Sequence, residues 1–383
     1  MPTILLDISR LLSRLHNGML PTGVDRVGLA YIRRYGSHAR AVLSERGFSA
    51  TLTERDSQYA FEMLLSSNGN RRAIRGIVIR ALINRQLGFC NDRAFLLHTS
   101  HNGMEYARYY NVMRKNNALP VFMIHDLIPL THPEYCRPGV DAAHRQRVHT
   151  ALRHAAGIIA NSEITLASIK KEAHDAGLRL PASTVARLAP GVRPDTAMLR
   201  PIDGPYFVML GTIEPRKNHW FILHVWRQLI ERVGAAAPKL VIIGRRGWEC
   251  ENVVDMLERC TSIQPCIVEE PECSDERLQS WLQHAQALLF PSFAEGYGMP
   301  LVEALAQHVP VLASHLDVFR EIAGDIPDYL DPLDGPGWLA HILSYAHPDS
   351  PARAAQLTRL QCFREPTWAE HFEHVDRFLE TLN

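Results

Sequence analysis

Short apolar runs alternate with amphipathic segments along most of the 383 residues. Near the amino terminus, TILLDIS and RAVLSE predict two strands, and Val24 to Tyr35 shows the apolar period of a helix. We expect a loop in the polar stretch between TILLDIS and that helix. From DRAFLLHTS onward, strands such as PVFMIHD and GIIANS take turns with helices, including one from about Val140 and one through Ala176. This alternation predicts a mostly parallel sheet covered on both faces.

A second α/β run follows a segment rich in proline and glycine between Pro190 and Pro205, which predicts an interdomain linker. Strands are expected in PYFVMLG, KLVIIGRRGWE, QPCIVEE, ALLFPS and PVLAS, and an amphipathic helix in PTWAEHFEHVDRFLETLN. Because one core rarely holds so long a chain, we predict two domains. Their expected bounds are 1–197 and 198–365, with a terminal helical segment over 366–383.

Composition narrows the class of protein. A hydrophobic content of 46% with 21% charged residues is globular, and a formal net charge of zero argues against a nucleic-acid partner. The seven cysteines lack the spacing of a disulfide framework or a zinc site, so we expect reduced thiols in the cytoplasm. A signal-peptide pattern and a run of 18 apolar residues are both missing from the sequence, so neither secretion by that route nor a membrane span is expected.

The segment from Arg71 to Arg85 carries five arginines and no acidic residue, interleaved with isoleucine, valine and leucine. Two interpretations stay open. It is a basic amphipathic helix that lies on the inner face of a membrane, or a domain helix whose arginines are solvated.

The stretch PSFAEGYGMPLVEAL has the pattern of a nucleotide-sugar site. A strand end is followed by Gly296 and Gly298, and a helix is expected to start at Pro300. A helix amino terminus offers unpaired N–H groups to a phosphate. Glu295 and Glu303 flank this turn, and carboxylates accept paired hydrogen bonds from the hydroxyls of a sugar or ribose. Ordinary turn chemistry is the alternative.

Three other positions are candidates for chemistry. In GTIEPRKNH, Arg216 and Lys217 lie at the expected start of a helix, where positive charge is unfavourable for the helix dipole. Either they bind a diphosphate or they are solvated surface charges. His125 and Asp126 end the strand PVFMI, at the sheet edge where ligands bind or where a polar pair simply caps the strand. Gly23 permits close approach of a ligand or forms a plain turn.

A metal or other cofactor is not expected. His371 and His374 lie three residues apart but have no third ligand at zinc-site spacing. The sequence has no Asp-x-Asp pair to hold a divalent cation against a diphosphate. Phosphate charge would then be met by Arg216, Lys217 and helix amino termini, with the nucleotide sugar as co-substrate.

GTIEPRKNH, IIGRRGW and FAEGYGMPLVEAL with its Glu-x7-Glu spacing resemble the retaining glycosyltransferases of family 4, which have the GT-B fold. LPTGVDRV, HDLIPL, ANSEIT and LAPGV resemble segments of bacterial members that build polysaccharide and O-antigen chains. The resemblance implies two Rossmann-like domains facing a cleft, with the acceptor on the first and the nucleotide sugar on the second. It also implies a carboxyl-terminal helix that crosses back to the first domain.

The resemblance also implies roles for particular residues. Glu303 is expected to bind the ribose, Glu295 the transferred sugar, and Arg216 with Lys217 the diphosphate. His125 is expected beside the reacting face of the sugar. The remaining donor contacts are expected from glycines and backbone amides, namely those of Gly23, Gly211, Gly296, Tyr297, Gly298 and Met299.

The resemblance implies a hexosyltransferase that retains the anomeric configuration. Because no residue is an obvious carboxylate nucleophile, we expect front-face attack, without a metal. The preferred donor is GDP-mannose, by resemblance alone, and the acceptor is a cell-surface polysaccharide such as an O-antigen or another lipid-linked glycan. A nucleotide-sugar epimerase on the same fold and an inactive sugar-nucleotide binding module are the alternatives. A dinucleotide oxidoreductase is disfavoured because G-x-G-x-x-G does not follow the first strand.

Overall fold

The computed structural model describes residues 3–66, 69–83, 93–191 and 198–382. The chain forms two compact α/β units. The first comprises Met1–Leu130, Gly139–Leu188 and Thr367–Asn383, and the second comprises Thr131–Pro138 and Ala189–Pro366.

Within the described residues, the first unit is built on a seven-stranded sheet in the order β3-β2-β1-β4-β5-β6-β7. The β2–β3 pair is antiparallel and every other pair is parallel. The strand order reverses between β1 and β4, as expected for a doubly wound sheet. The strands are β1 Thr3–Asp7, β2 Ala39–Glu45, β3 Phe48–Thr51, β4 Ala94–His98, β5 Ala118–Ile124, β6 Gly157–Ala160 and β7 Ala182–Val185.

Helices cover this sheet. They are α1 Ser9–His16, α2 Gly23–Tyr35, α3 Glu54–Leu65, α4 Arg71–Ile83, α5 Ala107–Lys115, α6 Ile128–Thr131, α7 Val140–His154 and α8 Glu163–Asp175. The prediction of a loop before Gly23 was wrong, because SRLLSRLH forms α1. Its Leu11 and Leu12 are buried, and Arg10 and Arg14 each pair with Asp25 of α2 at 2.8 Å.

In its described part, the second unit has a six-stranded, wholly parallel sheet in the order β10-β9-β8-β11-β12-β13. Its strands are β8 Tyr206–Leu210, β9 Lys239–Ile243, β10 Ile267–Glu270, β11 Leu288–Phe290, β12 Val311–Ser314 and β13 Asp328–Leu330. Its helices are α9 His219–Val233, α10 Glu251–Arg259, α11 Asp275–Gln283, α12 Met299–Ala306, α13 Asp317–Ala323, α14 Gly335–Ala346 and α15 Pro351–Leu360. Large aromatic side chains fill its core, among them Trp226, Phe207 and Trp338.

The last helix, α16 Trp368–Thr381, belongs to the first unit. His371 on α16 bonds through Nδ1 to the carbonyl of Arg187 at 3.0 Å and through Nε2 to the hydroxyl of Tyr31 at 3.1 Å. Phe372 packs edge-on against Tyr31, with ring centroids 5.1 Å apart. Both nitrogens of His371 therefore serve the packing of α16.

Within the four described ranges, helices are too short or too polar to meet the requirements of a membrane span.

Candidate functional site

The candidate site of the second unit lies at the point where its strand order reverses. From β8 the chain proceeds to β9 and β10 on one side, and from β11 to β12 and β13 on the other. Because β8 and β11 are parallel neighbours, the loops that follow them leave the same edge of the sheet side by side. Ligands of doubly wound sheets bind outside this edge, at such a reversal.

Backbone and amide hydrogen bonds join these two loops. The N–H of Phe293 donates to the carbonyl of Arg216 at 3.0 Å. The side-chain amide of Asn218 donates to the carbonyl of Pro291, in the loop after β11, at 3.2 Å. It also donates to the carbonyl of Pro332, in the loop after β13, at 2.9 Å. Asn218 has a left-handed backbone with φ of 59°, a conformation that asparagine tolerates better than most residues. The two loops therefore form one fixed surface.

Four ionisable side chains meet on this surface. Lys217 Nζ lies 2.5 Å from Glu295 Oε1, and Arg216 Nη1 lies 2.7 Å from Glu295 Oε2. Arg216 Nη2 pairs with Glu214 Oε1 at 2.6 Å, and Nη1 also donates to the carbonyl of Ala294 at 2.7 Å. The side chain of Glu295 is only 8% exposed. The predicted convergence of Arg216, Lys217 and Glu295 is present, and Glu214 joins them.

Burial and charge act in opposite directions on these groups. Burial alone would raise the pKa of Glu295, but Arg216 and Lys217 outweigh it and hold that pKa at about 2. Burial lowers the pKa of Lys217, and Arg216 beside it adds to the effect while Glu295 opposes it. Burial raises the pKa of Glu214 despite the nearby cations. Glu295 is thus firmly ionised, whereas burial destabilises the charged forms of Lys217 and Glu214.

The expectation that Arg216 and Lys217 start a helix was wrong. They belong to a separate 3-10 turn, Pro215–Lys217, and α9 begins only at His219 after the left-handed Asn218. They therefore precede the amino terminus of α9 and are not part of its first turn. Two carboxylates already neutralise the two cations, so their charge alone does not require an anionic partner.

The helix α12 begins at Met299, one residue before the predicted start, and Pro300 takes its second position. Gly298 precedes it with φ of 99°, and a Cβ at that position would lie 2.7 Å from the ring of Phe319. Glycine is therefore required here on two grounds. Glu303 lies in α12 and is 4% exposed, and Gly296 and Tyr297 lie in the loop between Glu295 and Gly298.

Close backbone packing also brings the loop after β9 to the same edge. A Cβ on Gly244, after β9, would lie 2.0 Å from the carbonyl oxygen of Gly211, after β8. Gly211 and Gly244 both have positive φ, 144° and 147°. The side chain of Lys217 lies over Gly211, with Cε 3.3 Å from where a Cβ would be. Gly244 and Glu214 were not predicted; the repeated strand-glycine pattern of KLVIIG was the available signal for the glycine.

In the first unit, His125 follows β5 and is 6% exposed. Its Nε2 donates to the carbonyl of Thr99 at 2.8 Å, which places the ring proton on Nε2 and makes Nδ1 a lone-pair acceptor. Its backbone N–H donates to Nε2 of His101 at 3.0 Å, and Asn161 donates to its carbonyl at 2.9 Å. Burial lowers the pKa of His125 and of His101, so both rings are neutral near pH 7.

Gly23 is the first residue of α2 rather than part of a preceding loop. Thr22 and Asp25 form a capping box around it, with the N–H of Thr22 donating to Asp25 at 2.7 Å. Gly23, like His125, belongs to the first unit, whereas every other predicted site residue belongs to the second. Within the ranges that the structure describes, histidine, cysteine and carboxylate side chains do not gather in threes as metal ligands.

Sequence comparison identifies a domain in the second unit. Residues 204–343 match the family described as Glycosyl transferases group 1. The serotype-specific mannosyltransferase WbdA of Escherichia coli is 28% identical over 275 residues, which cover 66% of this chain and 34% of WbdA. The O-antigen chain mannosyltransferase B of Escherichia coli is 27% identical over 267 residues, 68% of this chain and 69% of that protein. The chain thus spans about a third of the WbdA proteins it matches.

Structure comparison identifies the fold. The structure of Anabaena Alr3699/HepE with UDP and glucose aligns over 100% of this chain and 100% of its own chain, with a TM-score of 0.70 at 13% identity. Sucrose-phosphate synthase from Thermosynechococcus elongatus covers 100% of this chain and 99% of its own, with a TM-score of 0.65 at 12% identity. These likenesses confirm the predicted fold class, the GT-B fold with two α/β domains built on mostly parallel sheets.

Proposed function

Because residues 204–343 form a Glycosyl transferases group 1 domain, we propose that the protein is a retaining hexosyltransferase. It takes mannose from GDP-mannose and adds it to a growing cell-surface polysaccharide or lipid-linked glycan. The observation that carries this proposal is the buried cluster of Arg216, Lys217 and Glu295 beside the amino terminus of α12. Mannosyltransferase relatives support the choice of sugar and the O-antigen class of acceptor.

The cluster suits a ligand with a diphosphate next to a sugar. One oxygen of Glu295 contacts Lys217 and the other contacts Arg216. A carboxylate oxygen can accept more than one hydrogen bond, so a sugar hydroxyl is assigned to Glu295 as a further donor. We assign the diphosphate to the two cations that fix Glu295 and to the N–H groups at the start of α12. Glu303, further along that helix, is assigned to the ribose. Gly211 and Gly298 leave room for the side chain of Lys217 and the ring of Phe319, which pack where a Cβ would lie.

The proposed reaction proceeds on one face of the sugar. The acceptor hydroxyl approaches from the side on which the diphosphate leaves, and a departing phosphate oxygen takes its proton. Arg216 and Lys217 stabilise the negative charge that develops on the leaving group, and the fixed loops hold the donor in place. His125, neutral and with Nδ1 as an acceptor, is assigned to a hydroxyl of the transferred sugar. The reaction in this proposal does not depend on a metal.

A panel of nucleotide sugars with a glycan acceptor tests the proposal. Transfer from GDP-mannose with retained anomeric configuration, unaffected by EDTA, is the expected result. Arg216→Ala and Lys217→Ala should each lower turnover by a factor of about 100, the scale for losing one preorganised charge contact. Arg246→Ala is the matched control, because Arg246 pairs with Glu258 and Glu269 on the surface of the same unit.

The outcomes separate the rival functions. Normal turnover in both the Arg216 and Lys217 variants would remove those side chains from the mechanism. Conversion of the donor sugar without any acceptor would identify an epimerase instead. Tight donor binding with neither transfer nor hydrolysis would identify a binding module.

A further inference from the structure

Helix α4 of the first unit has more apolar surface than its packing uses. Ile74, Ile77 and Ala81 face the unit and are at most 4% exposed. Four further apolar side chains of α4 point away from that contact: Val78, Ile79, Leu82 and Ile83, exposed by 39%, 57%, 67% and 75%. A water-facing helix surface is normally polar, so this second apolar face is unusual.

Arginines are interleaved with the outward apolar residues. At 100° per residue, Arg72 and Arg75 fall on the same side of α4 as Ile79 and Leu82. Within the described residues, neither Arg72 nor Arg75 forms an ion pair, and both are exposed. Arg80, on the other side, pairs with Asp56 at 2.7 Å. The outward face therefore carries uncompensated positive charge together with exposed hydrocarbon.

An apolar cavity of about 560 Å³ adjoins this face. Val78, Ile79 and Leu82 line it together with Leu12 of α1 and Phe48 of β3. The walls are mostly hydrocarbon, and the volume is within the range of about 300–1,000 Å³ that ligand sites occupy. Such a cavity favours an aliphatic chain.

We propose that the outward face of α4 docks on an anionic phospholipid bilayer, with an acyl chain entering the adjoining cavity. Ile79 and Leu82 would enter the boundary between headgroups and acyl chains, while Arg72 and Arg75 reach the lipid phosphates. A bare phosphate would satisfy the arginines but not the hydrocarbon face, and a second copy of the chain would leave the arginines opposed by arginines. The lipid surface alone matches both features, independently of the proposed transferase activity.

Flotation with vesicles tests this surface. The full chain should float with vesicles of phosphatidylcholine and phosphatidylglycerol at a ratio of about seven to three, and far less with pure phosphatidylcholine. Arg72→Gln and Arg75→Gln should each weaken binding about fivefold, from roughly 1 kcal/mol per basic residue near an anionic surface. Ile79→Ser with Leu82→Ser should abolish stable binding. Both side chains are largely exposed, so the folded unit should tolerate the change.

A matched control changes the same residue types elsewhere on the first unit. Ile164→Ser with Arg153→Gln, both at exposed positions of other helices, should leave flotation unchanged. Equal flotation of the α4 variants and this control would overturn the proposal, as would failure of the wild-type chain to bind the anionic vesicles. Sedimentation velocity without lipid gives a second check. Dissociation of a dimer by Leu82→Ser, with unchanged vesicle binding, would assign the face to a second copy instead.

Discussion

Replacing Glu295 by glutamine tests how far the buried ion cluster holds the second unit together. The substitution keeps the shape of the side chain and removes its charge. Both oxygens of Glu295 are engaged by Lys217 and Arg216 at 2.5 and 2.7 Å, and the side chain is 8% exposed. Solvent therefore screens this cluster far less than it screens a surface pair.

The pKa of Glu295 sets the size of the effect. It falls from the usual 4.5 to about 2 in the folded protein, a difference that corresponds to about 3 kcal/mol of stability. Because the folded pKa lies below the unfolded one, this stability is fully present above pH 4.5 and is lost as the pH falls towards 2. Glu295→Gln should thus destabilise the second unit by about 3 kcal/mol at pH 7. The gap between variant and wild type should close between pH 4.5 and 2.

Urea unfolding followed by tryptophan fluorescence is the assay, because five of the six tryptophans lie in the second unit. The protonation of His219, with a pKa of about 3, is common to both proteins and cancels in the comparison. Glu269→Gln is the control, since Glu269 pairs with Arg246 at 3.1 Å but is 31% exposed, and should cost less than about 1 kcal/mol. A loss at Glu295 as small as at Glu269, or one that persists at pH 2, would refute the reasoning.

Two other predictions concern the folded units. Gly244→Ala should destabilise the second unit far more than Gly204→Ala. A Cβ on residue 244 would lie 2.0 Å from the Gly211 carbonyl oxygen, whereas Gly204, also at positive φ, has nothing within 4 Å. Equal shifts of the two urea unfolding midpoints would contradict the close packing at Gly244. His371, with a pKa lowered to about 4 by burial, should reduce the stability of the first unit as the pH falls from 6.5 to 4. Unfolding followed by helix content at pH 7 and 4.5 should show that His371→Leu removes this loss of stability. The prediction is wrong if the stability of the variant depends on pH as much as that of the wild type.

The sequence predicted one donor site for Arg216 and Glu295, because each residue follows a recognisable buried strand. Parallel strands with short connections place their carboxyl ends on one edge, so residues 79 positions apart become neighbours once β8 and β11 are adjacent. The glycine loops and proline-started helix were also visible, because these residue types have few conformational alternatives.

The helix α1 was missed for a physical reason that the sequence pattern hides. SRLLSRLH has five polar residues in eight, and an isolated helix of this length is marginal in water. Its stability comes from tertiary contacts, the buried Leu11 and Leu12 and the two arginines that pair with Asp25. Asp25 lies in the next helix, and no local pattern identifies it as the partner.

Glu214 shows why charge patterns mislead at a buried site. Read along the chain, Arg216 and Lys217 form a basic pair that either binds an anion from outside or is solvated. In the folded unit Glu214, two residues earlier, reaches Arg216 at 2.6 Å, and Glu295 takes the other contacts. The two carboxylates neutralise the two cations within the cluster. The cluster would therefore bind a diphosphate through hydrogen-bond donors held in fixed positions, and not through excess positive charge. The balance is also uneven: burial raises the pKa of Glu214, while that of Glu295 is held near 2. An added anion would therefore compete first with Glu214, the carboxylate whose charge is harder to keep.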